Sequence, residues 1–261
     1  MKRVVIKLGS GVLAQKDGLA LDAGQFEHLA KDIASLRIKG IECILVSSGA
    51  IAAGAGLLGL TERPTDTAGK QACAAIGQPV LMQFFEKSLG EHNLHVAQLL
   101  LTHGDIDSTM RRKNAQNTLE HLLHAKNIIP IINENDSVAV EELRFGDNDR
   151  LSAEVAAMAK ADLLVILTSV NGFFINGELV PELRDLENAT SHITGDTGKF
   201  SVGGMKTKLE AVRIAWDAHI PVALANGRIS GVLQKLIEQN SETKSVGTRF
   251  PLPCHMELKD L

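Results

Sequence analysis

The chain has 261 residues, of which 44% are hydrophobic and 22% charged, and its formal net charge is −4. That is enough chain to bury a full core as one domain or as two closely joined lobes, with the composition of an ordinary globular protein. With no basic run, 3% aromatics and no tyrosine, neither an electrostatic footprint for nucleic acid nor a base-stacking platform is expected.

Cys43, Cys73 and Cys254 are scattered and form no CxxC. Free thiols in a reducing cytoplasm are therefore expected, not a disulfide framework or a zinc ribbon. The start, MKRVVIKLGSGVLA, is basic and then apolar, but Lys7 interrupts the apolar part after three residues, which a signal core would not tolerate. No apolar run has transmembrane length, so no membrane association is expected.

In chain order, Arg3 to Leu8 reads as a buried strand, followed by a Gly9-Ser10-Gly11 loop. Phe26, Leu29, Ile33 and Leu36 at helical spacing predict a helix from Asp22 to Lys39, stopped by Gly40. A strand over Ile41 to Ser47 leads through Ser48-Gly49-Ala50 into a Gly/Ala-rich helix, Ile51 to Leu58. A long helix over Thr67 to His92 and a strand over Leu94 to Thr102 follow. Asp107 is expected to cap a helix running to Lys126. An apolar strand at 128–132 opens the most polar-rich stretch, Asn133-Glu134-Asn135-Asp136, then a short alternating segment, Val138 to Phe145, readable as a hairpin. Gly146-Asp147-Asn148-Asp149 is a turn that also starts a helix well, and Leu151 to Lys160 is expected to be helical. Asp162 to Thr168 is a strand. The segment 170–200 is irregular, with hairpin-type turns at Asn171-Gly172 and Asn176-Gly177. Gly203 to Ala218, Pro221 to Ala225 and Ile229 to Ile237 complete a helix, a strand and a helix.

Alternating strands and helices predict an α/β fold, a three-layer αβα sandwich with a largely parallel central sheet. The soft joint is expected at 169–202, between an N-terminal lobe of about residues 1–168 and a C-terminal lobe of about 169–250, with 251–261 as a tail. In such sheets ligands bind outside the carboxyl ends of the strands. Those tips carry Lys7 to Ser10, Ser47 to Gly49, Asn133 to Asp136 and Thr168-Ser169, a wall of small, polar and ionic groups.

Gly9-Ser10-Gly11-Val12-Leu13-Ala14 fits GxGxxA, but the second strand ends without the carboxylate a dinucleotide ribose needs, so the loop is read as a phosphate contact. Gly203-Gly204-Met205-Lys206-Thr207-Lys208 opens a helix, where free amides and the dipole favour an anion; the alternative is a glycine-rich turn with solvated lysines. Ser48-Gly49-Ala50 is a second such cradle or a plain N-cap. His121 and His124 lie at i, i+3 with no evident further ligand, and are read as an ordinary helix face. No metal-binding residues are predicted. Two lysines near glycines, several anion cradles and an Asp/Asn cluster are the parts phosphoryl transfer needs. No histidine is poised as a base. A carboxylate acceptor, with a pKa of about 4.3, needs none. The Asp/Asn cluster would then hold an ammonium group, which points to an amino-acid substrate.

The Lys7-to-Ser10, Ser47-to-Gly54, Ile131-to-Asp136, Gly146-to-Asp149 and Gly203-to-Lys208 motifs occur in the order and spacing of the amino acid kinase family, over about residues 2–250. The INEND and GDND motifs resemble those of its glutamate-phosphorylating members. The resemblance implies ATP-dependent phosphorylation of the γ-carboxylate of L-glutamate, opening proline biosynthesis, with Mg²⁺ arriving on ATP. It implies that Lys7 and Lys208 stabilise the transferring phosphoryl and that Asp149 holds them. It assigns Ser48, Gly49, Asn133, Asp136, Asp147 and Asn148 to glutamate. It assigns Lys7, Gly9, Thr168, Ser169 and the run Val202, Gly203, Gly204, Met205, Lys206, Thr207 and Lys208 to ATP. Val202 departs from the family's usual Thr and Ser169 from its usual Asp, and a C-terminal PUA domain found in many members is not expected here. A homo-oligomer is expected, and the reactive product suggests hand-off to a glutamyl phosphate reductase. The competing readings are a kinase for aspartate or N-acetylglutamate and a non-catalytic amino-acid sensor.

Overall fold

The computed structural model describes residues 1–139, 148–191, 204–238 and 246–253. In chain order the elements are β1 (Arg3–Leu8), α1 (Ser10–Leu13), α2 (Ala23–Ile38), β2 (Glu42–Ser47), α3 (Ala50–Leu57), α4 (Thr67–Gly90), β3 (His95–Leu101), α5 (His103–Asp107), α6 (Thr109–His124) and β4 (Ile128–Glu134). They continue with α7 (Asn148–Ala159), β5 (Leu163–Thr168), β6 (Phe174–Ile175), β7 (Glu178–Leu179), α8 (Leu186–Ser191), α9 (Met205–Asp217), β8 (Val222–Asn226), α10 (Val232–Glu238) and β9 (Thr248–Phe250).

One sheet in the order β3-β4-β2-β1-β5-β8-β9 runs through the molecule. Every pairing in it is parallel except the last, where β9 runs antiparallel to β8. Helices cover both faces. Phe26 and Ile33 of α2, Leu81 and Phe85 of α4 and Leu233 of α10 pack with Val4, Ile6 and Leu8 of β1 on one side. Leu119 of α6, Val155 and Ala156 of α7 and Val212 and Trp216 of α9 pack with Val5 on the other. The expected three-layer αβα sandwich is therefore present.

Successive side chains of β1 point to opposite faces. Lys7 shares the parity of Val5, so it is delivered to the face covered by α7 and α9. Those two helices carry Asp149 and Lys208.

Several expectations are corrected. Asp107 does not cap the long helix; it ends α5. Thr102 caps α5 through a reciprocal capping box with Asp105, and Ser108, with extended backbone (φ −74, ψ 113), separates the two helices and caps α6. The first glycine loop is tighter than a loop: Ser10–Leu13 closes one helical turn. Helix α7 begins at Asn148 rather than Leu151, so the Asp/Asn motif is its first turn. β3 has the apolar composition of an inner, doubly covered strand but lies at the sheet edge, with His95 and Gln98 exposed. Strand β9 carries too few residues to have stood out in the sequence. Asn176-Gly177 does turn the β6–β7 hairpin, both residues with positive φ. Gly172 does not turn a hairpin; it packs against Thr248. The proposed hairpin after Val138 lies mostly outside the described residues. Among the described residues, no helix is long and apolar enough to cross a membrane.

Candidate active site

The carboxyl ends of β1, β2, β4 and β5 open into a single cleft lined by Lys7, Gly9, Ser48, Asn133, Asp136, Asn148, Asp149, Thr168, Ser169 and Lys208, among others. Gly9 follows β1 and donates its N–H to Leu167 O at 3.1 Å. Gly49 sits at φ 112, a left-handed backbone that side chains rarely adopt, and this turns the chain sharply from β2 into α3. The sharp turn brings Ser48 to the cleft wall.

Asp149 is the electrostatic centre. Its Oδ1 lies 2.5 Å from Lys7 Nζ and its Oδ2 lies 3.1 Å from Lys208 Nζ. Thr207 Oγ1 also donates to Oδ2, at 2.9 Å. All three ionic residues are buried, Lys7 at 7%, Asp149 at 2% and Lys208 at 5% exposure. Burial by itself would raise the Asp149 carboxyl; the two ammoniums outweigh it and hold it at about 2. The carboxylate is thus ionised at any working pH and fixes two cations side by side.

A chain of amides supports the neighbouring wall. Glu134 N–H donates to Asn133 Oδ1 at 2.9 Å, which orients the Asn133 amide. Asn133 Nδ2 then donates to Gln78 Oε1 at 2.9 Å, and Gln78 Nε2 to Gln98 Oε1 at 2.8 Å. Asn148 Nδ2 lies within reach of Ser47 O at 3.1 Å, Ser48 Oγ at 2.8 Å and Asn133 Oδ1 at 3.1 Å. Because a backbone carbonyl only accepts, Ser47 fixes which end of the Asn148 amide is nitrogen. Among the described residues Asn148 Oδ1 is left buried without a hydrogen-bond partner. A buried acceptor of that kind costs stability unless a ligand donor meets it.

Asp136 stands on the turn after β4. Burial, with the Glu134 charge beside it, raises its carboxyl to about 7. A second carboxylate nearby and little water are what an arriving cation would relieve.

The structure therefore unites eleven of the residues expected to act together: Lys7, Gly9, Ser48, Gly49, Asn133, Asp136, Asn148, Asp149, Thr168, Ser169 and Lys208. Thr207 joins them through Asp149. Gly204 and Met205 form the start of α9 without lining the cleft, and Gly204 supplies no side-chain cap. Lys206 is exposed and lines a separate surface groove with Arg150 and Arg213. Asp147, Val202 and Gly203 lie outside the described residues. Two participants escaped sequence reasoning. Gln78 is a buried amide on a helix face that is otherwise apolar but for Ser88, a signal that periodicity does carry. Arg63, in the loop between α3 and α4, also lines the cleft, and no motif announces it.

Comparison with known proteins bears on the family and the fold. The model of the amino acid kinase family matches residues 2–226. A protein of Desulfitobacterium hafniense named glutamate 5-kinase is 45% identical over 98% of this chain and 70% of its own length. One of Clostridium tetani with the same name is 42% identical over 96% of this chain and 94% of its own. One of Thermus thermophilus is 46% identical over 89% of this chain, which spans 64% of that relative. Among solved structures, a UMP kinase from Bacillus anthracis superposes with a TM-score of 0.62 at 19% identity, covering 96% of both chains. N-acetylglutamate synthase from Neisseria gonorrhoeae gives 0.66 at 17%, over 96% of this chain and 61% of that one. Identities that low speak to the fold alone, which is shared. The chain belongs to the amino acid kinase family, among relatives named glutamate 5-kinase.

Proposed function

We propose that the protein transfers the γ-phosphoryl group of ATP to the γ-carboxylate of L-glutamate, giving glutamyl 5-phosphate and ADP, the first step of proline biosynthesis. The observation that carries the reading is the buried Lys7–Asp149–Lys208 triad beside an unsatisfied ammonium-type site at Asp136 and Asn148. A γ-carboxylate oxygen attacks the γ-phosphorus, the bond from phosphorus to the β,γ-bridging oxygen breaks, and its electron pair leaves with ADP. The acceptor is already ionised, so no base is required. Lys7 and Lys208 neutralise charge on the transferring group, and Asp149 spares both the cost of reorganising during the reaction. Asp136 and Asn148 Oδ1 hold the α-ammonium. N-acetylglutamate has no such charge and would leave Asp136 unpaired.

Strands and helices up to β5 form the acid-binding lobe in this reading, and the start of α9 with Thr168 and Ser169 receives the nucleotide. The described residues do not fit a protein-held metal: both Asp149 oxygens are committed to lysines, and no group of three His, Cys, Asp or Glu is arranged for one. Mg²⁺ belongs here to the substrate, bound to the phosphates of ATP. A homo-oligomer belongs to the reading: β3 leaves an open sheet edge, and Leu57, Leu58 and Ile76 are exposed apolar side chains. A cytoplasmic location and delivery of the acyl phosphate to a reductase complete the reading.

The test is incubation with ATP, Mg²⁺ and L-glutamate and trapping of acyl phosphate with hydroxylamine, with aspartate and N-acetylglutamate in parallel. Hydroxamate from glutamate alone is expected. Signal only from another acid would overturn the substrate, and silence from all three with binding retained would favour a sensor.

A further inference from the structure

The cleft is lined by three cations, Lys7, Lys208 and Arg63. The first two share Asp149. Arg63 has no carboxylate partner among the described residues. Its Nε and Nη2 both donate to the carbonyl of Gly18, at 2.9 and 2.8 Å. Gly18 itself has a left-handed backbone (φ 73), in the loop that α3 packs against through Gly56. The guanidinium is therefore pinned along one edge, while its other edge, Nη1 with the remaining hydrogen of Nη2, keeps a fork of donors suited to a carboxylate. Burial acts on it without compensation and lowers its pKa from the ordinary value. A partly desolvated cation held rigid by a backbone carbonyl and facing a ligand cleft is poised for an anion.

The zwitterionic part of an amino acid requires one anion-accepting and one cation-accepting group. Asp136 and Asn148 meet the ammonium in the reading above, and nothing assigned there meets the α-carboxylate. We propose that Arg63 is that group: it binds the α-carboxylate of the substrate through its free guanidinium edge and so selects α-amino acids over simple ω-carboxylic acids. This rests on reading the cleft as a glutamate site.

The deciding experiment pairs Arg63→Leu with a substrate from which the matching group has been deleted. 4-Aminobutyrate is glutamate without its α-carboxylate; glutarate is glutamate without its ammonium. Arg63→Leu should raise KM for L-glutamate about ten- to a hundredfold, the worth of a hydrogen-bonded charge pair. It should leave KM for ATP unchanged. For 4-aminobutyrate, followed as a substrate or as a competitive inhibitor, wild type and variant should agree within about twofold, since the partner of Arg63 is already missing. Glutarate should still feel the substitution. Arg63→Lys keeps the charge but cannot span Gly18 and a carboxylate together, and should give a smaller rise confined to acids with an α-carboxylate. It also serves if Arg63→Leu does not fold. An equal penalty on L-glutamate and 4-aminobutyrate, or none on either, would overturn the assignment. If the wild type makes no hydroxamate from glutamate, the proposed function fails by itself, and Arg63 is then read from thermal shifts. A glutamate-induced shift lost in Arg63→Leu, with any 4-aminobutyrate shift kept, supports the subsite; equal glutamate shifts in wild type and variant overturn it.

Discussion

The two ends of the cleft are built on opposite electrostatic plans. At one end Asp149 pairs with both Lys7 and Lys208, so each ion is buried with its partner in place and the trio keeps one net positive charge for the transferring phosphoryl. At the other end Asp136 is raised to about 7 by burial and by Glu134, and among the described residues Asn148 Oδ1 has no donor and Arg63 no carboxylate partner. The saturated end needs no ligand to be correctly arranged, which is what a site for a short-lived charge distribution requires. The unsaturated end carries the cost of incomplete pairing until a substrate of matching charge removes it. Chemistry and recognition are thereby separated within one cleft, and substitutions at the two ends should separate kcat from KM.

The strongest way to break that division is at the charge bridge. Asp149→Ala leaves two ammoniums facing each other without a carboxylate, and kcat should fall by about a thousandfold or more. Steady-state kinetics would show it, and a drop of less than about tenfold would deny Asp149 its organising role. Next in size is a backbone effect that should strike both ends. Helices α3 and α4 cross so closely that a Cβ on Gly77 would stand 1.9 Å from Ala50 O and 2.3 Å from Gly54 N. Gly77→Ala should cost about 3 kcal/mol, measured by denaturant unfolding, because the atoms it meets are backbone.

The recognition end is probed more selectively. Asp136→Asn should raise KM for L-glutamate by about a hundredfold with kcat within about threefold, a loss typical of a charge-assisted contact. The pH profile sharpens the point. The Asp136 carboxyl is raised to about 7, so below that pH it is mostly protonated in the free protein, and the ammonium binds only its ionised form. kcat/KM for glutamate should therefore decline as pH falls through about 7, with proton release on binding in the same range, and Asp136→Asn should lack that limb. The smallest effect is expected at the support of the wall. Gln78→Leu strands the Nδ2 of Asn133 and should raise KM for glutamate about tenfold while leaving KM for ATP alone. Gln78→Glu, which still accepts from Asn133, should recover most of it.

How far these features could be read in advance differs between the two ends. The parallel sheet was legible because its central strands are short apolar runs between helical periods. That Lys7 meets the helices carrying Asp149 and Lys208 needed the fold, because alternation says only that Lys7 shares a face with Val5 and not which helices cover that face. The Asp/Asn motifs pointed to the recognition end for the same reason: polar groups at strand tips stand out against apolar runs. Asp107 misled because three good capping residues, Thr102, Asp107 and Ser108, fall within seven positions, and only the fold decides which N–H groups each one meets. β3 misled because an apolar strand at a sheet edge has the same composition as one in the middle. Gln78 was visible only as one amide on a buried stripe, and its partners on β3 and β4 are distant in sequence. Arg63 gave no signal, since its proposed role rests on the Gly18 carbonyl that aims it and on the carboxylate that none of its described neighbours supplies.

The central claim, chemistry at one end and recognition at the other, is tested most directly on Lys208→Ala by measuring acyl phosphate formation and L-glutamate binding on the same preparation. The account predicts that hydroxamate formation is lost while the affinity for glutamate, measured by calorimetry, stays within about threefold of wild type. Retained turnover, or glutamate affinity lost together with turnover in a folded protein, would contradict it.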